Sequence, residues 1–273
     1  MPFPDSFLLL QQEGYLIRTS LAQGLTLLRS ADLGEKGHYY GAFFGLSIGL
    51  ERLLKVIIIL DHMAGHDLVP PGRAALRKYG HDVVNLLSSA QSIASVTPGQ
   101  RLNAIVPGTI EFEIVRHLGE FAESCGRYAN LDALASGRSQ SEPLADWKKL
   151  IMRILEEDVP ARAKERASQE AAALVDAFAG SAKVIAHDLD REPLSLQQWF
   201  ESPRMAELAA SRAVVRVLRV LCPLKELLGQ VCTRVHQETQ RRGLREPVVP
   251  FLGEFLDFVV DDERNSLKKK RWP

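Results

Sequence analysis

The chain has 273 residues, 46% hydrophobic and 25% charged, an ordinary globular composition that excludes a disordered, collagenous or disulfide-scaffold protein. Thirty-four Lys and Arg balance 34 Asp and Glu, so no global basic field draws the chain to nucleic acid, although a local patch is compatible with that balance. Aromatic residues make up only 7%, against many Leu, Ala and Val, which leans towards helix rather than sheet.

The three cysteines, Cys125, Cys222 and Cys232, are odd in number and show no CxxC or zinc spacing, so the expectation is a reducing, cytoplasmic setting. The opening MPFPDSFLLLQQEGY has Asp5, no basic segment and too short an apolar run for a signal peptide. The longest apolar run, Val56 to Leu60, is far below the roughly 20 residues that a membrane span needs. No membrane association is expected.

In chain order, Leu9, Leu16, Leu21, Leu25 and Leu28 approximate a helical stripe from Ser6 to about Ser30. From His38 to Asp61, Leu46, Leu50, Leu53, Leu54, Ile57 and Ile58 recur at i, i+4, i+7, i+8, i+11 and i+12, a helix with a broad apolar face. Gly41, Gly45 and Gly49 line up on it, and small residues in one row admit a second backbone at close range. Met63 to Gly72 reads as a loop, His81 to Ser95 as a helix, and Ile110 to Tyr128 as a helix entered through Thr109 with Glu111 and Glu113 in its first turn. Ala135 to Glu142 is Gly/Ser-rich and is the best linker in the chain. It suggests two units, residues 1–137 and 138–273. Beyond it, helices are expected over Leu144 to Glu157, Pro160 to about Asp188, Leu196 to Phe200 and Arg204 to Arg241, the last broken near Cys222 by Pro223. Trp147 and Trp199 read as core anchors, and a short amphipathic piece covers Phe251 to Val260. The fold class is all-α, an up-and-down helical bundle extended by a second helical half.

Nucleotide-binding and hydrolase signatures (GxGxxG, GxxxxGK[ST], GxSxG, HExxH) are absent, and no cofactor is implied. Asp61, His62, His66 and Asp67 form the nearest approach to a metal set. Gly65 and the helix end place part of it in a loop, which favours a surface or capping role. The Lys268 to Arg271 run reads as a solvated tail, and Arg116-His117 as a solvent-facing pair.

Three blocks in the first half resemble a HEPN domain (higher eukaryotes and prokaryotes nucleotide-binding). Gly49-Leu50-Glu51-Arg52-Leu53-Leu54-Lys55 is similar to the family's A-x-x-x-x-E-K-x-L-K helix. Lys78-Tyr79-Gly80-His81-Asp82-Val83-Val84-Asn85-Leu86-Leu87 resembles its G/T-H-D-L-x-x-L-L segment, and Gly126-Arg127-Tyr128-Ala129-Asn130-Leu131-Asp132 resembles its closing R-Y-P-like stretch. The resemblance spans roughly residues 6 to 135 and leaves the second half unassigned. It implies a four- or five-helix bundle, commonly a homodimer joined through an apolar helix face. It also implies membership of a family rich in metal-independent endoribonucleases of toxin–antitoxin, phage-defence and RNA-processing systems.

The family's active motif is Arg, four to six residues, then His. The His exchanges a proton with a ribose hydroxyl, and the Arg stabilises charge on the phosphorus centre. Here Arg77 precedes His81 with three residues between and Arg73 with seven, so the usual motif is missing. Arg77 and His81 remain the candidate catalytic pair. Glu51, Lys55, Arg127 and Tyr128 are the candidate ligand contacts, with Arg127 suited to a phosphate and Tyr128 to stacking on a base. The expectation is therefore a HEPN-like protein without catalysis that binds a nucleotide, RNA or a protein partner in a defence or stress system. The alternatives are an endoribonuclease with a non-standard Arg/His site and a helical scaffold without small ligand.

Overall fold

The computed structural model describes residues 3–78, 80–95, 101–123, 129–136, 142–178 and 180–273. The described residues are helical, and their one β-type contact is an isolated bridge between His187 and Pro193. The all-α expectation holds.

Two long antiparallel helices organise the bundle. Helix α1 (Asp5–Ser30) and α2 (Gly37–Gly65) carry the two expected stripes; that of α2 is buried throughout, whereas on α1 Leu21, Leu25 and Leu28 are buried but Leu9 and Leu16 are exposed, and their neighbours Leu10 and Ile17 turn inward instead. Their glycines decide how closely they pack. A Cβ added at Gly45 would lie 2.7 Å from the Ser20 carbonyl oxygen and 3.1 Å from the Gly24 Cα. One at Gly49 would lie 2.6 Å from the Leu21 side chain. The small-residue row is therefore used for close packing of the chain against itself.

The next elements close over α2. Helix α3 (Arg73–Lys78) is a short piece between the expected loop, which ends at Gly72, and the helix expected from His81, and α2 itself runs four residues past Asp61 to Gly65. Helix α4 (Val83–Ser95) is N-capped by Asp82, whose carboxylate accepts from the Asn85 N–H at 2.9 Å. Helix α5 (Ile110–Glu123) is capped by Thr109, whose hydroxyl accepts from the Phe112 N–H. Residues 124–128, the expected end of that helix, lie outside the described residues. Helix α6 (Ala129–Ser136) occupies the start of the expected linker.

Helices α7 (Pro143–Asp158), α8 (Ala161–Phe178) and α9 (Leu196–Arg241) follow. Three expectations fail in this half. Helix α8 stops ten residues before Asp188, because Gly180 takes φ +78° and the chain then forms a compact loop closed by Asp188 N–H to the Glu192 carbonyl. Helix α9 is one continuous element of 46 residues through Pro203 and Pro223. Pro203 deprives the Trp199 carbonyl of its backbone donor, and the Ser202 hydroxyl supplies a replacement at 2.9 Å. Pro223 and its neighbours Cys222 and Leu224 are buried, so tertiary packing holds the helix through the missing hydrogen bond. Finally, Trp199 is 40% exposed, whereas Trp147 is in the core as expected.

Helix α9 packs against α1, α2, α5, α7 and α8. One apolar core consequently runs from Leu10 to Trp272 and draws on both sides of the boundary expected at 137/138. The basic tail is anchored rather than free. Lys268, Lys270 and Arg271 are exposed, but Trp272 is buried, and its backbone N–H donates to the Thr26 hydroxyl on α1 at 2.9 Å. No helix among the described residues is long and apolar enough to cross a membrane.

Candidate functional site

Helix α2 places Glu51, Lys55, Ile58 and His62 at i, i+4, i+7 and i+11, one stripe along its length. The half-buried Glu51 carboxylate collects two donors on one oxygen. Lys55 Nζ reaches Oε1 at 2.7 Å, and His81 Nδ1 reaches the same atom at 2.9 Å. The turn before α4 presents His81, which leaves its ring 73% exposed above the more enclosed carboxylate. Three of the sequence-predicted residues, Glu51, Lys55 and His81, therefore meet. The Glu51–Lys55 pair is more than a surface i,i+4 contact, because a third group from 30 residues away shares it.

Arg77 does not join them. It is exposed at the end of α3 and makes no hydrogen bond to Glu51 or His81. Arg116 is engaged elsewhere, held between Glu113 and Glu120 on α5. Arg127 and Tyr128 lie outside the described residues. From the third block, the described Asn130 donates to the Tyr40 hydroxyl of α2 at 3.3 Å.

Farther along the same stripe, His62 and His66 stack with ring centres 3.9 Å apart, and the His66 Nδ1 lies 2.9 Å from the His62 carbonyl. Asp61 pairs with Arg234 of α9, and Asp67 with Arg242. These contacts give the four residues structural roles at the end of α2. Among the described residues no three His, Cys, Asp or Glu side chains converge as metal ligands. The His pair borders an open cleft of about 680 Å³ of mixed character, with Ser89, Ser92 and Arg234 beside Ile58 and Ile93.

His117 departs from the sequence reading. Arg116 faces solvent, but His117, 100° further round α5, is 5% exposed and packs edge-on to Phe43 at 4.7 Å and near Trp147 at 5.3 Å. Burial lowers its pKa from the ordinary 6.5 to about 4, with Asp146 opposing and Arg116 assisting. Its Nε2 and the Trp147 Nε1 are buried without hydrogen-bond partners among the described residues. The two buried thiols behave likewise as core groups. Burial pushes Cys222 and Cys232 up to about 11, which removes them as nucleophiles at neutral pH.

A second cleft was not visible in the sequence. It measures about 280 Å³ and lies between the start of α2, α7, the 187–194 loop and the first turns of α9. Its walls are mostly apolar, with Lys148, Asp188 and Glu201 at the polar margins. Lys148 Nζ donates to Asp188 at 2.7 Å and to Asp190 at 2.6 Å. Burial alone would lower the Lys148 pKa, but the two carboxylates outweigh it and raise it, while Lys148 holds Asp190 below the usual carboxylate range. Tyr39 lies at the base, its pKa raised by burial and then by Asp32 and Asp188. These residues are scattered over some 160 positions with no shared motif, so only the tertiary structure could bring them together.

Comparison with known proteins finds no family model, no curated protein and no solved structure that matches this chain.

Proposed function

We propose that this chain is a HEPN-like helical binding protein rather than a nuclease, and that it engages a nucleotide, RNA or protein partner at the polar edge of α2. The observation that carries the reading is the fate of the Arg/His pair. His81 is held on Glu51 beside Lys55, and Arg77 stands outside that contact. Acid/base catalysis at a phosphodiester needs a proton-transfer group and a positive charge aimed at one reacting phosphorus. Glu51 engages both of the local donors, which leaves a hydrogen-bonding edge suited to recognition.

The direct test is incubation of purified protein with RNA in EDTA, beside His81→Ala, with anisotropy titrations of a labelled RNA oligonucleotide and a labelled nucleotide. The expected result is no cleavage and saturable binding of one probe, weakened in Lys55→Ala. Metal-independent cleavage lost in His81→Ala would overturn the reading in favour of the second one, an endoribonuclease. That reading draws on the same Glu51–His81 contact, because a carboxylate that orients an imidazole is a recurrent acid/base arrangement. Binding of neither probe, with no cleavage, would leave a protein partner as the occupant of this edge. Dimerisation through an apolar helix face and a place in a defence or stress system belong to the same proposal, and sedimentation analysis tests the first.

A further inference from the structure

The geometry points to a second binding site, the cleft between α7, α9 and the 187–194 loop, built for a small hydrophobic amine. Size sets the first limit. At about 280 Å³ the cleft falls just below the range for drug-sized ligand pockets, about 300–1,000 Å³, so its occupant is smaller than a nucleotide. Its walls set the second. Ile151, Met152 and Leu155 of α7 face Met205 and Ala206 of α9, with Leu189 from the loop. Such walls take an aliphatic or aromatic body, and the two unbranched thioethers adapt to its shape.

Charge selects the head group. Among the described residues Lys148 is the one cation lining the cleft, and two carboxylates, Asp188 and Asp190, hold it. The second oxygen of Asp188 accepts from the Leu189 N–H at 2.7 Å. Lys36 nearby donates to the His187 and Asp188 carbonyls rather than into the cleft. Glu201 at the opposite margin accepts only from the Ser168 hydroxyl among the described residues, so a carboxylate oxygen remains for a ligand donor. The margins sum to a negative field. A ligand ammonium gains at Glu201, while a ligand carboxylate meets Glu201 and a lysine already neutralised.

The loop that forms one wall is itself fixed. Arg191 takes φ +65°, and the hydrogen bonds Asp188 N–H to Glu192 O and Leu194 N–H to Ala186 O close it. Lys36 and Lys148 then tie it to the start of α2 and to α7. The cleft is thus preformed, which limits the ordering cost of binding.

The test is isothermal titration of the wild-type protein at pH 7 with octylamine, octanoate and 1-octanol, which share a chain and differ in the head group. The expected result is saturable 1:1 binding of octylamine, with octanoate at least about tenfold weaker and octanol between them. Glu201→Gln should bring octylamine down to the octanol level, and Ala206→Phe should abolish binding of all three. Octanoate binding as tightly as octylamine, or no saturable octylamine binding, would overturn the proposal. So would octylamine binding unaffected by Ala206→Phe in a variant with wild-type circular dichroism. The amine-against-carboxylate comparison needs only wild-type protein and stands if a variant fails to fold. Glu51, Lys55 and His81 form no part of this cleft, so the RNA assay and this titration can fail independently.

Discussion

Lowering the pH should destabilise this protein chiefly through His117. The imidazole is neutral in the folded chain because burial against Phe43 and Trp147 holds its pKa near 4, against the ordinary 6.5 that it regains on unfolding. As pH falls through 6.5 the unfolded chain takes up the proton first, so the unfolded state gains. Stability is therefore complete above about pH 7, declines from there, and stops declining through this group below about pH 4. The two values give a loss of about 2 kcal/mol at pH 5 relative to neutral pH. His236 has its pKa lowered by burial and adds a smaller effect of the same sign. Urea denaturation of wild type and His117→Phe at pH 7, 6 and 5 isolates the His117 share, because His236 is common to both. The variant should lose about 2 kcal/mol less than wild type between pH 7 and 5, whatever its stability at pH 7. Parallel pH profiles, or an NMR titration that finds the His117 ring ionising near 6.5, would refute the reasoning.

Glycine substitutions should split by position. Gly45→Ala gains helix propensity of about 1 kcal/mol but drives a methyl group to 2.7 Å from the Ser20 carbonyl, so a net loss of about 1–3 kcal/mol is expected in thermal or urea unfolding. Gly229 on α9 has nothing within 4 Å of an added Cβ, and Gly229→Ala should stabilise by about 0.5–1 kcal/mol in the same assay. Arg216 binds Glu111 at 2.9 Å and Asp158 at 2.6 Å, all three largely enclosed, and so joins α5, α7 and α9. Arg216→Ala strands Asp158 and leaves Glu111 only the longer contact to Arg219 at 3.7 Å, and should cost about 2–4 kcal/mol. Arg216→Ala combined with Glu111→Gln should cost less than the sum of the single changes, and a strictly additive cycle would show that Arg216 and Glu111 are not coupled.

Helical periodicity, which is local, was readable along most of the chain. The span of α1, the stripe of α2, the Thr109 cap of α5 and the span of α7 follow from apolar spacing and capping residues within a few positions of one another. The glycine row on α2 already announced a close neighbour, and only the fold named it as α1. Spacing also placed Glu51 beneath Lys55, since i,i+4 neighbours on a helix must meet. What failed depended on distant atoms. Pro223 does not break α9, because the apolar packing on both sides of the helix outweighs one missing hydrogen bond. His117 is buried beside exposed Arg116, because the register of α5 against α2 and α7 selects which face turns inward. His81 on Glu51, Trp272 against α1 and the Lys148–Asp188–Glu201 cleft all join segments that periodicity treats separately. The sequence by itself determined most of the helical spans and the apolar stripe of α2, because those properties arise within a turn or two of backbone. Only the tertiary structure decided which polar groups share a site, because that depends on how whole helices cross and on which neighbour satisfies each buried donor.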